Sequence, residues 1–145
     1  MVLEKMCLRS QLDPKLLVGV PSIDNEHFNL ICLLDRLIET TQPITDSADF
    51  SEVLNQLGSE MKAHFENEEN YLVAFHMPED DISNHVTAHT TILDQYARLN
   101  VDLLEGKVPD VNSLLAMFKE WVIGHILNHD LKIRYYLPSN CSGVI

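Results

Sequence analysis

A chain of 145 residues with 22 acidic and 10 basic side chains has the size of one domain and a net charge of −12. This charge repels phosphate backbones and anionic lipid headgroups, so nucleic acid is not expected as a partner. No apolar run reaches the roughly 18 residues that span a bilayer, and the N-terminal residues lack the apolar stretch of a signal peptide. We therefore expect one compact cytoplasmic domain without membrane insertion.

Helical periodicity first indicates two long segments in the N-terminal half of the chain. The first predicted helix runs from about Asp24 to Thr41, with Ser22 or Asp24 as its cap. The second begins near Ser47 and must end before Pro78, because the residue that precedes a proline disfavours the helical region.

Two further helices are predicted in the C-terminal half. The third starts at Asp80 or Asp81 and reaches Gly106, and the fourth opens at Asp110 and ends near Tyr136. Helices joined by short connections favour antiparallel neighbours. We therefore predict an all-α fold, an up-down-up-down four-helix bundle over residues 22–137, in a single domain of residues 1–145. An irregular N-terminal arm (1–21) precedes the bundle and a tail (138–145) follows it.

The histidines matter because of where they fall on these helices. His64 and Glu68 are four residues apart on the second predicted helix, so their side chains share one face. The same spacing recurs on the third helix. Every predicted helix therefore directs at least one imidazole inward, from His27, His64, His85 with His89, and His125.

A lone inward histidine such as His27 is more often a hydrogen-bonded core residue than a ligand. Several imidazoles and a carboxylate in one core, however, would leave desolvation costs of roughly 1 to 3 kcal/mol each without compensation. A shared metal would satisfy all of them together, so the pattern predicts a metal site. Spacing leaves one choice open, because His129 shares the face of His125 better than Asp130, which is about 140° round an ideal helix.

The ordered pattern of these residues resembles the hemerythrins, and especially their bacterial branch. It consists of His27, His64-x-x-x-Glu68, His85-x-x-x-His89 and His125-x-x-x-x-Asp130, and it covers all the predicted helices. The local context agrees, as in Gly19-x-x-x-Ile23-Asp24-x-x-His27, His64-Phe65-x-x-Glu68-Glu69 and Trp121-x-x-x-His125-Ile126-x-x-x-Asp130. Departures from the usual pattern include Glu26 and Phe28, where the family often has glutamine and lysine, and Phe75-His76-Met77-Pro78 in place of a Gly-Tyr-Pro turn.

The resemblance implies a centre of two iron ions with an oxo or hydroxo bridge. It assigns His85, His89 and His125 to one iron, His27 and His64 to the other, and Glu68 and Asp130, rather than His129, to both. Counting ligands then leaves one coordination position open on the iron held by two histidines. In this family that position binds O2 reversibly, so we expect reversible O2 binding, for oxygen carriage, storage or sensing. By their place in the motif, Phe65, Trp121, Val122 and Leu127 should line the O2 pocket, with ordinary core packing as the alternative.

Other functions remain open. Hemerythrin domains also occur fused to chemoreceptor or diguanylate cyclase modules, so the chain could be the sensor domain of a signalling protein. A di-iron enzyme that acts as an oxidase or consumes peroxide or nitric oxide is a third hypothesis. Oxygen-activating bundles are rich in carboxylates, whereas this ligand set is rich in nitrogen, so we expect a binding protein without catalytic residues. Its ligands would be O2 or other small diatomic or anionic molecules. We assign no function to Cys7, Cys32 or Cys141.

Overall fold

The computed structural model describes residues 13–41 and 47–138, and these form a bundle of four helices. They are α1 (Pro21–Thr41), α2 (Ser47–Ala74), α3 (Glu79–Leu104) and α4, which combines Val111–Lys119, a π-helical turn at Glu120–Gly124, and His125–Asn128. Short 3-10 helices occur at Pro14–Leu16 and Asp130–Tyr136. Helix α1 packs beside α2 and α4, and α2 packs beside α3. The predicted all-α bundle is therefore confirmed, and the described ranges contain no strand.

The outer parts of the predicted arm and tail, residues 1–12 and 139–145, lie outside the described ranges, as do Cys7 and Cys141. Within those ranges, no helix combines the length and the apolar character that crossing a membrane requires.

Local backbone chemistry sets the helix ends. Helix α2 ends before Pro78 as predicted, and His76 adopts a positive φ of 57°, which lets the Met77 N–H donate to the Leu72 carbonyl at 3.2 Å. Helix α3 ends just before Gly106, which has a φ of 78°. Glycine adopts this conformation without strain because it has no Cβ. Helix α4 follows Asp110, whose carboxylate accepts a hydrogen bond from the Ser113 N–H at 3.0 Å.

The start of α1 differs from the prediction. The helix begins at Pro21, so Asp24 lies inside its first turn and does not cap it. The Asp24 carboxylate instead accepts hydrogen bonds from the Val18 and Gly19 N–H groups, at 2.7 and 3.1 Å. Val18 and Val20 are buried. The end of the arm nearest the bundle is therefore part of the core.

We expect Gly19→Ala to lower the free energy of unfolding by about 1 to 3 kcal/mol. Gly19 has a φ of 101°, and an added Cβ would lie 2.8 Å from Leu137 Cδ1. Gly106→Ala is the matched control, because its φ is also positive but no heavy atom lies within 4 Å of the added Cβ. Urea denaturation of both variants measures the difference. A loss at Gly19 no larger than the loss at Gly106 would contradict the packing argument.

The apolar core is divided into two clusters, and the candidate ligands lie between them. One cluster is formed by Val18, Val20, Ile23, Leu72, Met77 and Ile133. The larger cluster fills the rest of the bundle and includes Leu30, Phe65, Ile92 and Ile126. Along α1 and α2 a ligand lies between the two clusters: His27 follows Ile23 and precedes Leu30, and Glu68 follows Phe65 and precedes Leu72. Apolar side chains therefore cover the ligands from both directions along the bundle.

Candidate metal centre

The seven candidate ligands converge on one buried region, and each is 4% exposed or less. They fall into two groups, within each of which the nearest donor atoms all lie within 4.8 Å of one another. One group is Glu68, His85, His89, His125 and Asp130, and the other is His27, His64, Glu68 and Asp130. This division matches the one that the resemblance implied, with both carboxylates common to the two groups.

Glu68 presents a different oxygen to each group of histidines. Its Oε1 atom lies 2.8 Å from His85 Nε2 and 2.9 Å from His89 Nε2. Its Oε2 atom lies 3.4 Å from His64 Nε2 and 3.7 Å from His27 Nε2. The carboxylate therefore lies between the two groups, with one oxygen directed to each.

Asp130 repeats this arrangement from the 3-10 helix that follows α4. Its Oδ1 atom lies 2.9 Å from His85 Nε2 and 3.0 Å from His125 Nε2. Its Oδ2 atom lies 2.8 Å from His27 Nε2 and 3.9 Å from His64 Nε2. Two carboxylates that each direct one oxygen to each group have the geometry of bridges between two adjacent cations.

The hydrogen bonding of the cluster fits bound metal. Among the described residues, the buried atoms that make no well-aligned hydrogen bond include Glu68 Oε2, His125 Nε2 and Asp130 Oδ2, although each lies close to a histidine or carboxylate of the cluster. The Nε2 atoms of His27 and His64 face each other at 3.0 Å. Buried polar atoms are costly without a partner, and a cation among them would satisfy all of these. Imidazole nitrogen together with carboxylate oxygen suits first-row transition metals.

In the absence of a cation, protons balance the charge of the cluster. Burial opposes protonation of His64, but Asp130, Glu26 and Glu68 outweigh burial and raise its pKa from 6.5 to about 11. Burial likewise opposes protonation of His85, whose pKa rises to about 9 beside Asp130 and Glu68. Although burial disfavours both carboxylate ions, the surrounding histidines hold the pKa values of Glu68 and Asp130 well below their usual range. Metal binding must therefore displace protons.

Two further carboxylates orient ligand histidines from outside. His64 Nδ1–H donates to Glu26 Oε1 at 2.6 Å, and Asn67 Nδ2 donates to both oxygens of Glu26 at 3.2 and 3.1 Å. His89 Nδ1–H donates to Glu69 Oε2 at 2.8 Å. Because an ionised carboxylate only accepts hydrogen bonds, each ring carries a proton on Nδ1 and turns Nε2 towards the centre.

Neither helical spacing nor the family resemblance predicted this orienting role for Glu26, Asn67 or Glu69. Glu26 was noted only as a departure from the family pattern, and Glu69 only as part of a motif. A usable signal was the position of each acidic residue directly beside a ligand, since Glu26 precedes His27 and Glu69 follows Glu68.

The choice between His129 and Asp130 is made by a break in the backbone directly after α4. The sequence predicted one continuous helix to Tyr136, but helical geometry ends at Asn128, and His129 has φ and ψ of −127° and −54°. A 3-10 helix then starts at Asp130. The break turns Asp130 inward, where it is completely buried, and leaves His129 half-buried. The continuous-helix prediction is wrong here, and ideal helical geometry was a poor guide because the backbone leaves the helix between the two positions.

Asp130→Ala should therefore lower the metal content of the purified chain strongly, whereas His129→Ala should leave it unchanged. Asp130 belongs to both ligand groups and His129 belongs to neither. Elemental analysis of the two variants, prepared side by side, measures the effect. Metal loss in the His129 variant with retention in the Asp130 variant would reverse the assignment.

A small cavity of about 10 Å³ lies beside the group with two histidines. Its lining includes His27, His64 and the predicted pocket residues Phe65, Trp121 and Val122, together with Leu30, Met61, His125, Ile126 and Asp130. Leu127 was predicted to line this pocket, and that prediction is wrong. Leu127 is 53% exposed, whereas the preceding residue, Ile126, is 2% exposed. One residue corresponds to about 100° of rotation on a helix, so only one of these neighbours can face the core.

The remaining histidine, His76, is exposed. Cys32 is half-buried with a free thiol.

The fold and the site together define a class of protein: a four-helix bundle that carries a cluster of histidine and carboxylate ligands in its core. The family model for the hemerythrin HHE cation binding domain matches residues 18–134. The chain belongs to this family. No curated protein and no solved structure matches it.

Proposed function

We propose that this chain binds O2 reversibly at a centre of two iron ions. In this proposal His85, His89 and His125 hold one iron, His27 and His64 hold the other, and Glu68 and Asp130 bridge them. The division of each carboxylate's oxygens between the two groups supports a pair of metal ions over a single one. Two ferrous ions would supply the electrons that reversible O2 binding requires.

The observation that carries the proposal is the position of the cavity. The group with fewer ligands, His27 and His64, is the one for which a vacant coordination position is expected, and both residues line the cavity. The rest of the lining is mainly apolar and includes Leu30, Met61 and Phe65. An apolar lining disfavours water and anions, because they lose their hydration when they enter the cavity. A small neutral molecule has no such cost. Phe65 also stacks on His89, with ring centroids 4.0 Å apart, and so restrains a ligand ring on the other side.

The ligand set also favours binding over catalysis. Five imidazoles and two carboxylates place less negative charge on two irons than the carboxylate-rich sets of oxygen-activating bundles. High-valent iron chemistry is stabilised by anionic ligands, so this centre is better suited to holding O2 than to cleaving it. Oxygen carriage, storage and sensing would all use the same property.

The test is to reduce the protein without oxygen, admit O2, and then remove it while the visible spectrum is recorded. We expect an absorption band that forms with O2 and disappears when O2 is withdrawn, through repeated cycles. Elemental analysis of the same sample should show two irons per chain. Continuous consumption of O2 without a reversible band would contradict the proposal and favour the enzyme.

A further inference from the structure

A surface groove approaches the candidate centre from the side of α3 and α4. The groove has a volume of about 250 Å³, and its lining includes Thr91, Gln95, Glu120, Trp121 and His125. Trp121 and His125 also line the internal cavity beside His27 and His64. Trp121 and His125, which line both the groove and the cavity, therefore lie between the cavity and the solvent.

Of these two side chains, Trp121 lies outside both candidate ligand groups, whereas His125 belongs to one of them. His125 is tied to the centre through Asp130, 3.0 Å away, and would be held further by a metal. The Trp121 indole N–H donates a hydrogen bond to Gln95 Oε1 at 2.8 Å, across from α4 to α3. Its ring also packs against Phe118 and Tyr96, with centroids 5.5 and 6.1 Å away. Trp121 lies in the π-helical turn, a feature often found at functional sites.

We propose that this groove is the access route of the small neutral ligand to the centre, with Trp121 as its barrier and Gln95 as the positioning residue that holds the barrier closed. The nature of the ligand rests on the proposed function. The charge of the route agrees with a neutral molecule, since the carboxylate of Glu120 lies over Gly124 at the groove and the chain carries a net charge of −12. Both would repel an anion.

Gln95→Leu removes the acceptor of the indole hydrogen bond and leaves the predicted ligands untouched. A barrier affects passage in both directions, so the O2 association and dissociation rate constants should rise by the same factor and their ratio should stay constant. We expect each rate constant to rise about five-fold, because the loss of one neutral hydrogen bond increases the population of the open barrier by about this factor. Stopped-flow mixing with O2 and with an O2 scavenger measures the two constants.

Three variants test whether the effect belongs to the indole hydrogen bond. Gln95→Glu keeps an acceptor oxygen and should restore the slow rates. Gln56→Leu is the matched control, because Gln56 also makes a side-chain hydrogen bond, to Glu60, but on an exposed face of α2, and it should leave the rates unchanged. Trp121→Phe, which has no indole N–H, should accelerate both rates even if Gln95→Leu folds poorly. Unchanged rates in both Gln95→Leu and Trp121→Phe, or a changed affinity with one constant unaltered, would overturn the proposal.

A second measurement does not depend on O2 binding to metal. Trp121 is the only tryptophan of the chain, so its fluorescence reports on the barrier directly. Quenching of this fluorescence by dissolved O2, in the protein as purified, should be several-fold stronger in Gln95→Leu than in wild type or Gln56→Leu. If wild type shows no reversible O2 band, the proposed function fails, while stronger quenching would still support the route. Equal quenching in the three proteins would overturn the route even where reversible O2 binding is observed.

Discussion

Replacing Glu68 by alanine should leave the chain without its bound metal and with a less stable fold. Glu68 offers an oxygen to each group of histidines, so its loss removes a ligand from both at once. In the metal-free chain the buried, protonated histidines would lose their counter-charge, at a cost of about 3 to 5 kcal/mol in the free energy of unfolding. Elemental analysis gives the metal per chain, and urea denaturation of the chelator-treated protein gives the stability.

His76→Ala is the control for this experiment. His76 is an exposed histidine outside both ligand groups, so its removal should leave the metal content at the wild-type value. Because histidine already carries a Cβ at this φ of 57°, alanine adds no new backbone strain, and the free energy of unfolding should change little. Equal metal content in the Glu68 and His76 variants would remove Glu68 from the site.

The stability of the metal-free chain should fall as the pH rises above about 6.5, while the affinity for metal should rise. The pKa of His64 goes from 6.5 in the unfolded chain to about 11 in the fold, and that of His85 goes to about 9. A raised histidine pKa stabilises the fold fully below the unfolded value, and this contribution is lost as the pH rises through the folded value. Each histidine that stays protonated only in the fold contributes about 1.4 kcal/mol per pH unit.

At low pH, protonation of Glu68 and Asp130 should lower the stability of the metal-free chain. The pKa values of Glu68 and Asp130 are lowered well below 4.5 and 3.8, so their contribution is present above these ordinary values and is lost as the pH falls through the folded ones. The metal-free chain should therefore be most stable between about pH 4.5 and 6.5. Bound metal requires neutral histidines, so its uptake releases protons and is favoured by higher pH.

Urea denaturation at several pH values, with and without chelator, measures both trends, and a pH indicator measures the protons released on metal addition. The metal-loaded chain should gain stability over the range in which the metal-free chain loses it. If stability changed with pH in the same way with and without metal, or if metal bound without releasing protons, the idea that protons balance the charge of the metal-free cluster would be contradicted.

Most of the ligand set could be predicted because it lies on regular helices. His64 and Glu68 on α2, and His85 and His89 on α3, are four residues apart, and in an unbroken helix this spacing places both side chains on one face. The helices themselves follow from apolar periodicity and from turn residues such as Gly106 and Pro78. The arrangement in a bundle follows from their number and from the short links between them.

Predictions failed where the backbone is irregular or where partners come from different helices. Leu127 was assigned to the pocket in place of Ile126 because the position of a residue in a motif does not show which face of the helix turns towards the core. Asp130 could be chosen only through family resemblance, since the break at His129 depends on how the end of α4 packs on the core. The contact of Glu26 with His64 depends on the relative rotation of α1 and α2, which the periodicity of either helix does not contain.

The sequence by itself determined the helices, the inward histidines and the acidic character of the chain, because each follows from residue spacing or composition alone. Only the tertiary structure decided that Glu68 and Asp130 direct one oxygen to each histidine group, and that Trp121 lines both a surface groove and the cavity beside His27. These are relations between side chains distant along the chain, and their distances are set by the packing of four helices on a shared core.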